Sequence, residues 1–453
     1  MTPSSTRQRS GLLTDLYELT MAAGYFQTGF DARATFELFV RHLPRERNYL
    51  VAAGLEQALD FLQEVRFAES EIEYLRRQPV FRHVRPEFFD YLERFRFSGD
   101  VWAAPEGSIV FANEPILRVT APIIEAQLAE TQLLSAINFQ TMIASRAARL
   151  VTAARGKPVV EFGARRAHGA EAGILAARAA WIAGCAGTSN VLAAEMFGIP
   201  AYGTQAHSWI MAHEDEAQAF ECFLDVFPEQ ATLLLDTYSV RAALRKIIAN
   251  GCKPAGVRLD SGDLVTDSRW VRSQLDRAGW SDVQIFASGD LDEKRIATLL
   301  RKGAKVGAFG VGSALVAPAD TQNLSMIYKL VQLEHNGKVR ETAKLSESKA
   351  TSPGRKQVFR FSDARGKWRR DLIALEDEAY KDGEPLLVPV MRAGERIAPA
   401  ETLTAARVRC AESLKRLPGH LFSIGRAASY PVRHSKPLNA LLERVRRRIR
   451  QRA

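Results

Sequence analysis

Short apolar runs alternate with stretches of helical periodicity between residues 157 and 312. The apolar runs are 159–162, a weak 183–186, 199–204, 232–236, 256–260, 284–288 and 306–310. Runs of this kind, separated by helix-length segments, predict a parallel sheet covered by helices. About seven such units with polar residues at nearly every strand end favour an irregular α/β barrel. The rival is a doubly wound sheet, which needs a topological switch point that the pattern does not show.

Outside this region the period changes. Residues 14–29, TDLYELTMAAGYFQTG, predict a helix with Thr14 as N-cap and Gly29 as its stop. Tyr17 lies on its first turns and by spacing alone reads as a core residue. A strand is expected at 34–40, helices rich in Leu and Phe across 50–97, and short β-prone runs with Gly, Pro and Asn punctuation across 99–120. Residues 124–154 lack Gly and Pro and predict a long helix crossing into a second domain. Strands at 328–331 and 357–361 flank a Lys- and Ser-rich loop at 344–356. The expected organisation is a flexible lead (1–10), an α+β sandwich domain built from 11–130 and 331–440, a barrel at 131–330 and an arginine-rich tail at 441–453.

Composition narrows the class. The chain has 453 residues, 46% hydrophobic and 25% charged, as in globular proteins. Its formal charge of +10 is uneven: six arginines and Glu443 put half of it in the last thirteen residues. The rest is close to balanced, which argues against a surface coated for nucleic acid and for local basic pockets that take a small anion. A nucleic-acid module acting through the tail is the reading from another class, and basic ends are usually solvated. The four cysteines are widely spaced, without a Cys-x-x-Cys pair, so a reducing, cytoplasmic compartment is expected. No apolar run reaches membrane length, and the N-terminal MTPSSTRQRSG lacks the apolar segment of a signal peptide.

In a parallel barrel the chemistry sits in the loops after the strands. Those loops read EFGARRAHG (161–169), GTSN (187–190), GTQAHSW (203–209), LLDTYS (234–239), VRLDSGDL (257–264), ASGDLDE (287–293) and AFGVGSAL (308–315). Arg165 and Arg166 offer guanidinium forks suited to phosphate oxygens. The last two loops are Gly/Ser turns opening onto helices, which suits backbone N–H groups cradling a monophosphate. Asp260 and Asp263 can hold ribose hydroxyls or Mg²⁺, or serve simply as turn residues. His207 stands at a strand end between small neighbours, with Asp236 ending the next strand as a candidate to fix its tautomer. Together these groups suit a phosphorylated sugar that gains or loses a group at its anomeric carbon.

With LLTDLYELTMAAGY (12–25), EFGARRAHG, GTSNVLA (187–193), GTQAHS (203–208), VRLDSGDL and GVGSAL in this order, the chain closely resembles the nicotinate phosphoribosyltransferases over roughly residues 11–430. The resemblance implies transfer of phosphoribosyl from phosphoribosyl pyrophosphate to nicotinate, coupled to ATP hydrolysis and assisted by Mg²⁺, in a homodimer with shared active sites. It implies that Phe162 stacks on the pyridine ring, with Tyr17 of a partner subunit on the other face. Arg165 resembles the pyrophosphate ligand, and Arg258 the cation near the nicotinate carboxylate or the phosphate. Asp260 resembles the ribose and metal carboxylate, and Gly289, Gly312 and Ser313 the 5′-phosphate cradle. His207 resembles the histidine that ATP phosphorylates, with Asp236 orienting it. Ser189 stands where nicotinamide-specific relatives carry an aspartate, so it is expected to decide acid against amide, its plainer reading being a cap on the helix that begins at Asn190; a nicotinamide-specific enzyme is the alternative function. Quinolinate-specific relatives are much shorter. The cysteine metal site of some relatives is missing from the C-terminal part, which has only Cys410.

Overall fold

The computed structural model describes residues 10–346 and 349–451. The chain divides into two compact units, one made of residues 143–322 and the other of the segments on either side. The expected flexible lead lies almost wholly outside the described residues, as does the end of the tail.

In the flanking unit, seven strands form one sheet in the order 338–341, 326–335, 33–40, 115–122, 100–103, 388–392, 395–396, with antiparallel neighbours throughout. Arg33–Val40 is buried at all but its first residue. Alternate residues of a strand face opposite sides, so burial of both sides requires cover on each face. A four-stranded sheet of 384–385, 356–362, 368–375 and 432–434 lies in the same unit, its last pair parallel. Buried Glu37 and Arg118 sit opposite one another on adjacent strands, and both reach Lys356 of this second sheet. Leu16–Gln27 is helical, but its N-cap is Asp15; Thr14 instead donates its hydroxyl to Glu18 at 2.5 Å. The arginine-rich segment forms a helix, Lys436–Arg450, that buries Leu438, Leu441 and Val445.

Residues 143–322 hold a six-stranded parallel sheet in the order Gly187–Thr188, Val159–Glu161, Ala308–Val311, Gln284–Ala287, Gly256–Leu259, Thr232–Leu234. This order is the chain order run as a ring and cut once, between 187–188 and 232–234. Of two expected strands that differ, the first is displaced and the second accounts for the cut. Residues 183–186 complete a helix end and turn around Gly184 (φ +105), and the strand begins only at Gly187. Residues 199–204 pair at a single bridge, Thr188 to Ala201. No ladder among the described residues joins the two edge strands, so closure of the expected irregular α/β barrel is not found. Side-chain caps at Asn190, Ser239, Asp263 and Asp292 start the following helices close behind the strand ends, which keeps those loops short.

Candidate active site

The sheet gathers its polar groups where the strands end. Arg258, on Gly256–Leu259, is the hub. Its Nε donates to Ser288 Oγ at 2.8 Å, its Nη1 to Thr204 Oγ1 at 2.7 Å and its Nη2 to Asp260 Oδ1 at 2.5 Å. The side chain is only 12% exposed, and its guanidinium carbon lies 5.8 Å from the centroid of the Phe162 ring. Ser288 in turn donates to Asp260 Oδ1 at 2.5 Å. Burial pushes the Asp260 carboxyl up, but the hydrogen bonds from Ser288 and Arg258 and the positive charge beside it outweigh that and hold it below the usual aspartate range. Asp260 is therefore ionised at neutral pH.

His207 opens the short helix His207–Met211 with its side chain 43% exposed. Its Nδ1 lies 3.1 Å from Thr237 Oγ1 and its Nε2 lies 3.8 Å from Asp260 Oδ2. The expected pairing with Asp236 is not made. Asp236 Oδ2 accepts instead from the backbone N–H of Asp260 at 3.0 Å and from Ser261 Oγ at 2.6 Å, and so braces the LDSGD loop. A shift of one residue at the turn hands the imidazole to the neighbouring threonine. Asp236 Oδ1 is buried and has no hydrogen-bond partner among the described residues. Asp263 is the N-cap of Leu264–Arg277, accepting from the N–H groups of Val265 and Thr266, so its turn role prevails.

Phe162 follows Val159–Glu161 and packs 5.5 Å from Phe286, centroid to centroid. Gly310 makes room for both rings: a Cβ there would come within 2.8 Å of each. Glu161, which the sequence reading did not single out, organises the turn after Phe162. Its buried carboxylate accepts from Thr188 Oγ1 at 2.6 Å and from the N–H of Gly163. Burial raises its pKa, with those two bonds partly opposing the shift. Ser189 donates its N–H to the Glu161 carbonyl at 2.9 Å, and its hydroxyl makes no hydrogen bond among the described residues. Asn190, not Ser189, caps Val191–Phe197. Arg165 lies exposed on the turn Ala164–Arg166 with no ion pair among the described residues.

The two glycine turns stand at the ends of adjacent strands. Gly289 takes φ +85 and approaches Asp260 so closely that a Cβ would lie 1.7 Å from its carbonyl oxygen. Only glycine fits there. Gly312 lies against Phe162, where a Cβ would stand 3.1 Å from the carbonyl oxygen. Ser313 starts the helix Ser313–Val316, so its N–H and that of Ala314 have no acceptor in their own helix. Thus Phe162, Arg258, Asp260, His207 and Ser288 share one constellation with both turns beside it. Tyr17 belongs to the flanking unit, where it is 44% exposed; burial and the carboxylates of Glu130, Glu18 and Asp15 raise its hydroxyl pKa. Thr237 and Ser288 lay inside motifs already singled out, but neither residue type marks itself as a partner of a histidine or an arginine.

Family models for the N-terminal domain, the family itself and the C-terminal domain of nicotinate phosphoribosyltransferase match residues 12–138, 158–372 and 379–442. The chain is 46% identical over 449 residues to nicotinate phosphoribosyltransferase pncB2 of Mycobacterium tuberculosis, a match covering 97% of this chain and 95% of that one. It is 41% identical over 389 residues to the nicotinate phosphoribosyltransferase of Bacillus subtilis, with 83% and 78% covered. The crystal structure of human nicotinic acid phosphoribosyltransferase superposes with a TM-score of 0.84 at 28% identity, covering 95% of this chain and 99% of that one. Matched from its first helix to its last by family models, and by relatives across most of their lengths, the chain belongs to the nicotinate phosphoribosyltransferase family.

Proposed function

We propose that this chain transfers the phosphoribosyl group of phosphoribosyl pyrophosphate to nicotinate, releasing pyrophosphate and nicotinate mononucleotide for NAD synthesis in the cytoplasm. The observation that carries the reading is the Arg258–Asp260–Ser288 network, set against Phe162 and beside the two glycine turns. A flat anionic ring fits over Phe162 with Arg258 at hand for its carboxylate. The glycine turns then take the 5′-phosphate, and Arg165, exposed and without an ion pair, takes the leaving pyrophosphate. The pyridine nitrogen brings its own lone pair to C1 of the ribose, so no general base is needed as the C1–oxygen bond breaks. The protein supplies alignment and charge for an oxocarbenium-like transition state, and ionised Asp260 is its principal anion.

Mg²⁺ fits this site as a companion of the substrate. Among the described residues no three acidic, histidine or cysteine side chains cluster as a metal cage. Mg²⁺ is commonly held by one or two carboxylates with substrate phosphates and water. Asp260, and the unpartnered Oδ1 of Asp236, are the groups that would hold it, and its charge would neutralise the departing pyrophosphate.

In the same reading His207 accepts the γ-phosphoryl group of ATP: a nitrogen–phosphorus bond forms and ADP leaves. The tautomer with its proton on Nδ1, donated to Thr237, leaves Nε2 as the nucleophile. His207→Ala is expected to abolish acid-labile labelling by γ-labelled ATP and the stimulation of transfer by ATP, while weak ATP-independent transfer persists. Labelled phosphate on that variant would place the acceptor elsewhere. The finer architecture we propose is an irregular barrel, open at the seam near Ala201, in a homodimer where Tyr17 of a partner subunit closes the ring site. The direct assay offers the pure protein phosphoribosyl pyrophosphate and Mg²⁺ with nicotinate or nicotinamide, with and without ATP. Mononucleotide from nicotinate supports the reading, and product from nicotinamide alone overturns it.

A further inference from the structure

We propose that Arg146, Arg149 and Glu293 form a buried clasp that sets the spacing of the two glycine turns, making them positioning residues for the phosphate of the phosphoribosyl substrate. This rests on reading those turns as that phosphate's cradle. Glu293 is the first residue of the helix Glu293–Arg301, directly behind the turn that contains Gly289, and is 1% exposed. Its Oε1 accepts from Arg146 Nη1 at 2.6 Å and from Arg149 at 3.0 Å (Nη2) and 3.2 Å (Nε). Arg146 carries the connection onward, its Nε donating to the carbonyl of Ala314 at 2.9 Å. Ala314 lies two residues beyond Gly312 in the other turn. One guanidinium thus bonds both the helix that leaves one turn and the backbone of the other.

The simpler role is that of a core ion pair. Apolar side chains of similar volume often hold a core as well as a buried ion pair does. They cannot bond the carbonyl of a particular turn. Field is a lesser contribution, because Asp320 lies 3.7 Å from Arg146 Nη1 and two positive charges meet two negative ones. What remains specific to Arg146 is geometry: a planar fork with Nε and Nη1 engaged at the starts of the two helices that follow the turns.

The discriminating variant is Arg146→Lys, which keeps the charge that pairs with Glu293 but cannot span both partners. The KM for phosphoribosyl pyrophosphate is expected to rise about tenfold, since small misplacements of binding groups are costly. The KM for nicotinate and the ATP-dependent labelling of His207 are expected to stay within about twofold, and ribose 5-phosphate, titrated by calorimetry, should bind more weakly by the same factor as the KM. Glu293→Gln, which keeps an acceptor oxygen, should shift the same quantities less; it carries the comparison if Arg146→Lys fails to fold. A folded variant with unaltered ribose 5-phosphate binding, or with both substrate KM values raised equally, overturns the clasp. Absence of nicotinate mononucleotide from the wild-type protein would overturn the activity instead, while ribose 5-phosphate binding would still decide the clasp.

Discussion

Replacing Ser189 by aspartate is expected to cut nicotinate use by about a thousandfold while leaving the fold intact. The family resemblance leads to the expectation that Ser189 faces the acid group of the ring. A new carboxylate about 4 Å from that of nicotinate, at an effective dielectric near 20, is repelled by about 4 kcal/mol, roughly three decades of affinity before screening. The serine hydroxyl avoids this and is free to donate, being without a partner among the described residues. Helix capping cannot confound the result, because Asn190 caps Val191–Phe197. Residual activity should tilt towards nicotinamide, whose carboxamide can donate to the new carboxylate. Steady-state kinetics with both substrates provide the check. Unchanged nicotinate kinetics in a folded Ser189→Asp protein would remove Ser189 from the specificity site.

The second large effect is expected at Asp260. Asp260→Asn removes a full charge, because the carboxyl is held below the usual aspartate range. It leaves the nearly buried Arg258 with neutral acceptors only, at Ser288, Thr204 and Gln205. Loss of a preorganised group facing developing charge costs about 10²–10³ in kcat, or roughly 3–4 kcal/mol. Asp236→Asn should be milder, because an amide oxygen can still accept from Asp260 N–H and Ser261 while Asp260 remains to hold Mg²⁺. The comparison is of kcat for the two variants at saturating substrates, with melting temperature as a control for folding. A fall of less than tenfold for Asp260→Asn would take Asp260 out of the transition-state role.

Much of the constellation was legible because it lies in strand-end loops, where polar residues interrupt apolar runs. His207, Arg258, Asp260 and the two glycine turns each break such a run. The pairing among them was not legible. Asp236 and Thr237 are neighbours, and the turn alone determines which one meets the imidazole. Residues 199–204 have the composition of a strand but pair only at Ala201, because strand content does not disclose whether a partner edge is within reach. Glu161 lay in a quoted motif, yet a carboxylate behind two valines gives no sign that it will turn back onto the N–H of Gly163. Arg146 and Arg149 are three apart on a long helix, a spacing shared by solvated faces. Only the packing reveals that they point inward at Glu293.

The strand Arg33–Val40 carries a consequence for synthesis on the ribosome. One of its edges pairs with Pro115–Pro122, and the other waits for Met326–His335. At about 5–20 residues per second, the roughly 290 residues between Val40 and Met326 take on the order of 15–60 s to emerge. Throughout that interval an apolar strand, buried at seven of its eight positions once folded, has an unsatisfied edge. The intervening 143–322 unit is complete before that partner strand is made. The nascent chain therefore passes through a stage in which its first-made sheet is still open although the whole 143–322 unit has been made, and in that window a chaperone or a second nascent chain can compete for the edge of Arg33–Val40.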